Sequence, residues 1–122
     1  MIKNKVILQS RWVSTLRFCV FTVLMNAVSI GAVWAAPTFT LEIKNHLFYP
    51  AEIVIPANTK VRLRVINRDD TPEEFESYEL NREKVILGNS QTVIFVGPLP
   101  PGEYPFFGEF NISTAQGKII AR

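Results

Sequence analysis

Apolar and polar side chains alternate in short runs from residue 39 to the end of the chain. Phe39, Leu41 and Ile43 alternate with Thr40, Glu42 and Lys44, and Ile53 and Ile55 follow up to Pro56. Val61, Leu63 and Val65 then alternate with Lys60, Arg62 and Arg64. Successive side chains on a strand point to opposite faces, so this third run predicts a half-buried strand with its cations on one side. Residues 67–72 are polar and predict a loop, and alternation resumes over 74–78. Residues 79–83 read as one helical turn. Residues 85–87, 93–96, 104–107 and 118–121 read as further strands, separated by Gly88-Asn89-Ser90 and by Pro98-Leu99-Pro100-Pro101-Gly102. Seven or eight short strands without a long helix predict an all-β fold, an antiparallel sandwich. Its expected core includes Phe39, Val61, Leu63, Val65, Phe95 and Ile119.

The first 35 residues follow another pattern. Lys3, Lys5, Arg11 and Arg17 precede an apolar run from Phe18 to Trp34, and Ala35 and Ala36 follow. That order is the signature of a secretory leader, with cleavage expected after Ala35. The alternative is an uncleaved anchor, but Thr22, Asn26 and Ser29 interrupt a run that is already short for a membrane span. The expected organisation is a signal peptide over 1–35 and one domain over 36–122. The only cysteine, Cys19, falls in the leader, so the exported domain is expected to lack both thiol and disulfide.

Charge narrows the function. The chain carries 13 basic and 11 acidic residues. Four of the basic ones lie in the leader, which leaves residues 36–122 with a net charge of −2. That is not the footprint of a nucleic-acid binder. The sequence has one histidine, no Gly-x-Ser-x-Gly elbow and no glycine-rich phosphate loop, which argues against a hydrolytic triad or a nucleotide site.

What remains is a set of carboxylates among aromatic residues. In Pro72-Glu73-Glu74-Phe75-Glu76-Ser77, Glu74 and Glu76 share one strand face and Phe75 takes the other. Glu109 lies among Phe106, Phe107 and Phe110. A carboxylate in apolar surroundings needs a cation, and a metal ion, a lysine or an arginine would each serve. Carboxylates with one imidazole suit iron, manganese, Cu(II) or zinc better than Cu(I). The plainer alternatives are that Glu74 and Glu76 form the solvated face of an edge strand, that Glu109 pairs with Arg82 or Lys84, and that His46 satisfies a loop backbone.

Several segments carry a family resemblance. They are His46-Leu47-Phe48-Tyr49-Pro50, Glu74-Phe75-Glu76-Ser77, Pro101-Gly102-Glu103-Tyr104, Gly108-Glu109-Phe110 and Thr114-Ala115-Gln116-Gly117. Across residues 39–121 the chain resembles the EfeO-type cupredoxin-like domains, exported proteins linked to bacterial ferrous-iron uptake. The resemblance implies a cupredoxin-like Greek-key sandwich with a metal pole at one end, and a periplasmic location. It implies an iron or copper ion held by Glu74, Glu76 and Glu109, with His46 joining from the loop after the first strand. It also implies an inner-membrane iron permease, or another iron-uptake component, as partner. Copper-assisted oxidation of Fe(II) is the chemistry it suggests beside binding and hand-over of the ion. The cysteine position of a blue-copper loop reads Gly108, and the histidine position three residues on reads Asn111. The first histidine position falls at Glu73–Glu74. A type 1 copper site needs a thiolate, so these residues exclude one. The other reading is a metal-free interaction module presenting Phe107 and Phe110 to a protein partner.

Overall fold

Three inward-pointing aliphatic residues, Val61, Leu63 and Val65, make β4 (Val61–Asn67) the strand on which one sheet is built. In the computed structural model, which describes Gly31 and residues 34–122, β1 (Thr38–Lys44) pairs with it in parallel and β7 (Gln91–Val96) antiparallel. The short β2 (Leu47–Tyr49) closes the other edge, giving the order β2-β1-β4-β7. The second sheet has the order β3-β9-β8-β5-β6. Its strands are β3 (Glu52–Ile55), β5 (Glu73–Ser77), β6 (Arg82–Ile86), β8 (Gly102–Gly108) and β9 (Gln116–Ala121). A single 3₁₀ turn, Glu109–Asn111, follows β8. Among the described residues no helix is long and apolar enough to cross a membrane. The leader expected over 1–35, Cys19 included, lies outside the described residues except at Gly31, Trp34 and Ala35.

The all-β sandwich expected from the alternation is present, with nine strands among the described residues in place of seven or eight. It is mixed rather than antiparallel throughout, because β1 pairs with β4, and β3 with β9, in parallel. The two sheets bury Leu41, Ile43, Val61, Leu63, Val65 and Val96 against Ile53, Ile55, Phe75, Phe106 and Ile119. Phe48 of the first sheet meets Phe106 of the second edge-on at 5.1 Å, and Phe75 stacks on Phe106 at 5.1 Å. Such aromatic pairs add about 0.5–1.5 kcal/mol each beyond the area they bury.

Two expectations fail for identifiable reasons. Phe95 was expected in the core but is 47% exposed. Val93-Ile94-Phe95-Val96 is apolar throughout, so only pairing decides its faces. The register sets Ile94 opposite Leu63 and Val96 opposite Val61, and it puts Phe95 beside Arg62 on the outer face. There the Lys60 ammonium lies 4.8 Å from the Phe95 ring centre. The helical turn expected over 79–83 is a hairpin turn instead. Asn81 takes φ 51°, which ends any helical continuation, and Arg82 already pairs with Ser77.

Candidate metal centre

The β5–β6 hairpin creates the acidic cluster. Its register sets Glu76 opposite Glu83 and Glu74 opposite Val85. Alternation along β5 turns Phe75 and Ser77 inward, with both residues buried, and leaves Glu74 and Glu76 half-buried on the outer face. One carboxylate oxygen from each of Glu74, Glu76 and Glu83 lies within 4.8 Å of the other two. Like charges directly opposite in a sheet destabilise it, and the titration of the cluster reflects this. A hydrogen bond with Glu83 holds the Glu74 carboxyl above its ordinary value, helped by desolvation and by the charges of Glu83, Glu76 and Glu109. Desolvation, then the charges of Glu83 and Glu109, raise Glu76.

Arg82, which could have neutralised this face, is engaged elsewhere, and Lys84 stands opposite Phe75 in the register, out of phase with Glu74 and Glu76. Arg82 donates through Nε to the Phe95 carbonyl and through a terminal nitrogen to the Asn81 carbonyl. The ion pairs among the described residues are His46–Asp69, Arg68–Glu42, and Lys118 with Glu52 and Glu103, and none involves the cluster. Of the four residues the sequence suggested, Glu74 and Glu76 come together, and Glu109 adds its charge from the 3₁₀ turn without belonging to the triad. His46 is not in the triad either. It sits in the β1–β2 turn at φ 57°, its ring 3.7 Å from the Asp69 carboxylate, and its backbone N–H donates to the same carboxylate. Glu83 is the member that sequence reasoning missed. Reading 82–86 as the return strand of a hairpin would have placed it across from Glu76.

The loop end of the sandwich is built differently. Glu73, one residue before Glu74, points inward and is 1% exposed. Its Oε1 accepts the Phe110 N–H at 3.0 Å and the Glu74 N–H at 3.0 Å, while Oε2 accepts from the Asn111 side-chain amide at 2.6 Å. The Thr114 hydroxyl ties the same loop to the His46 carbonyl. Gly108 closes the space, since a Cβ there would stand 2.7 Å from both the Glu73 carboxyl carbon and the Ala115 Cβ. Glu73, Gly108 and Asn111 stand at the positions where a blue-copper site would carry its ligands, not at those the resemblance implied for this chain. They do not fit a blue-copper centre, because none of them offers a thiolate and the groups facing the Glu73 carboxylate present N–H protons rather than lone pairs. Glu73 was also missed from sequence, although it lies in phase with the inward-facing Phe75 and Ser77.

Comparison with known proteins identifies the family and the fold. The profile of the cupredoxin-like domain family matches residues 17–121. The chain is 48% identical over 80 residues to an uncharacterized protein of Rickettsia prowazekii (strain Madrid E). That alignment covers 66% of this chain and 64% of the relative, so the chain spans less than two thirds of that protein's length. Among solved structures, auracyanin A, a "blue" copper protein of Chloroflexus aurantiacus, superposes with a TM-score of 0.62 at 12% identity, covering 72% of this chain and 100% of auracyanin. The metal-binding domain of the Cu(I)-exporting P-type ATPase of Streptococcus pneumoniae D39 superposes with a TM-score of 0.59 at 14% identity, covering 70% and 84%. At these identities the two structures share the fold.

Proposed function

This chain belongs to the cupredoxin-like domain family, and from that premise we propose that it is an exported protein that binds a hard divalent cation, ferrous iron foremost. The ion sits on the outer face of the β5–β6 hairpin. The observation that carries this reading is the convergence of Glu74, Glu76 and Glu83 within 4.8 Å, with no lysine or arginine paired to them among the described residues. The Glu83 hydrogen bond and desolvation at Glu74, and desolvation at Glu76, hold both carboxyls above their ordinary values with help from neighbouring charges, and a cation would offset that charge crowding. Three carboxylates offer only oxygen, which suits Fe(II), Mn(II) or Mg(II) over Cu(I). The partial exposure of the triad keeps the remaining coordination positions open to water or to an acceptor's ligands. That favours loading and hand-over rather than a redox centre. The EfeO-type resemblance extends the proposal to a periplasmic hand-over of iron to an inner-membrane permease.

Calorimetric titration of the purified protein with anaerobic Fe(II), Mn(II), Cu(II) and Zn(II) tests it. The expected Kd for Fe(II) is about 100 μM or tighter, near −5.5 kcal/mol, and binding is lost in Glu76→Gln/Glu83→Gln. No Fe(II) binding in that range removes the reading.

One observation favours a second reading, that of a metal-free interaction module. Phe110 and Ile112 are each more than half exposed on the loop that Glu73 holds in place. A protein that binds no cation but loses a co-purifying partner in Phe110→Ser carries that reading instead.

A further inference from the structure

We propose that Glu73 is a built-in anion that closes the loop pole in place of a metal ion, so that the pole is assembled without a cation and admits none. This stands independently of the outer face. The Glu73 carboxylate receives three N–H donors, and two of them come from residues 37 and 38 positions further along the chain. It therefore staples the β8–β9 connection to the start of β5, as a shared ion would. The chemistry is inverted, however. N–H protons converge on a negative centre, and a cation entering among them would meet donors already aimed inward.

The surroundings support the same conclusion. A side chain at position 108 has no room beside Glu73 and Ala115, so a further ligand cannot come from there. The rest of the pole is likewise tied by protein groups alone. The Asn67 amide donates to the Thr71 and Ile86 carbonyls, Asp69 accepts the Asn45 and His46 N–H groups, and Thr114 reaches the His46 carbonyl. Among the described residues, the buried side-chain nitrogen left without a partner is Arg62 Nε, in β4 and not at the pole. A pole that waited for an ion would leave donor atoms unsatisfied, and this one does not.

Hydrogen exchange at the Phe110 amide of the chelator-treated full chain tests the proposal. The expected result is strong protection without metal, unchanged when Zn(II) is added. Glu73→Gln, which keeps the shape but removes the charge, is expected to speed exchange about tenfold or more. Should that variant fail to fold, Asn111→Asp serves, because it sets a second carboxylate against Glu73 where the wild type has a donor. Its Phe110 amide is expected to exchange faster than wild type and to slow again with added Zn(II). Three results would overturn the proposal. One is an unprotected Phe110 amide in metal-free wild type. Another is protection that rises with Zn(II) when Glu76 and Glu83 have both been replaced by glutamine. The third is Asn111→Asp exchanging as slowly as wild type.

Discussion

Glu73 and Glu74 are consecutive residues of one strand with opposite fates. Glu73 turns inward, where Phe110, Asn111 and the Glu74 N–H satisfy its charge. Glu74 turns outward, where Glu83 and Glu76 crowd it and, among the described residues, no lysine or arginine pairs with it. Identical chemistry separated by one step of the pleat becomes a structural staple on one face and a crowded acidic cluster on the other. The difference lies in whether protein N–H groups already occupy the carboxylate's lone pairs, as they do at Glu73.

Substitutions on either side sharpen this contrast. The largest effect is expected at Glu73. Alanine there removes a buried carboxylate and leaves the part-buried Phe110 N–H and Asn111 amide without their acceptor, and urea unfolding should show a loss of roughly 3 kcal/mol. Gly108→Ala comes next, since its Cβ collides with Glu73 and Ala115. Overpacking of this kind costs about 1–3 kcal/mol, measurable in the same unfolding assay.

On the outer face the sign reverses. Glu74 and Glu76 both titrate above their ordinary value, so above about pH 4.5 the folded state binds more protons than the unfolded one, and stability falls as pH rises through the raised values. Glu42 and Asp69 titrate below theirs, Glu42 through its hydrogen bond with Arg68 and Asp69 through the His46 N–H. Their contribution is lost instead as the pH falls through those lowered values. Metal-free Glu83→Gln should therefore lose less stability than wild type as the pH rises above the ordinary carboxylate value, as thermal melts along that rise would show. An equal or steeper loss would mean that Glu83 is not what raises Glu74. The smallest effect is expected at Phe95, outside the core on the first sheet, where Phe95→Ser should change stability by about 0.5 kcal/mol or less.

The two faces were not equally legible. Alternation in β1, β4 and β5 identified the inward residues Leu41, Val61, Leu63 and Phe75 directly, because charged neighbours marked the opposite side. It was silent for Val93-Ile94-Phe95-Val96, where only the pairing with β4 selects a face. Glu74 and Glu76 were readable as partners because they are two residues apart on one strand. Glu83 depends on the hairpin register, and the role of Glu73 depends on a loop 37 residues away. Local pattern carries no information about which N–H group will arrive opposite a carboxylate.

Side-chain carboxyl ¹³C shifts of the glutamates, followed by NMR while the protein is titrated with diamagnetic Zn(II), test both halves of the account at once. The account predicts that Glu74, Glu76 and Glu83 move together along one saturable curve while Glu73 stays still. Movement of Glu73, or no movement in the triad, would contradict it.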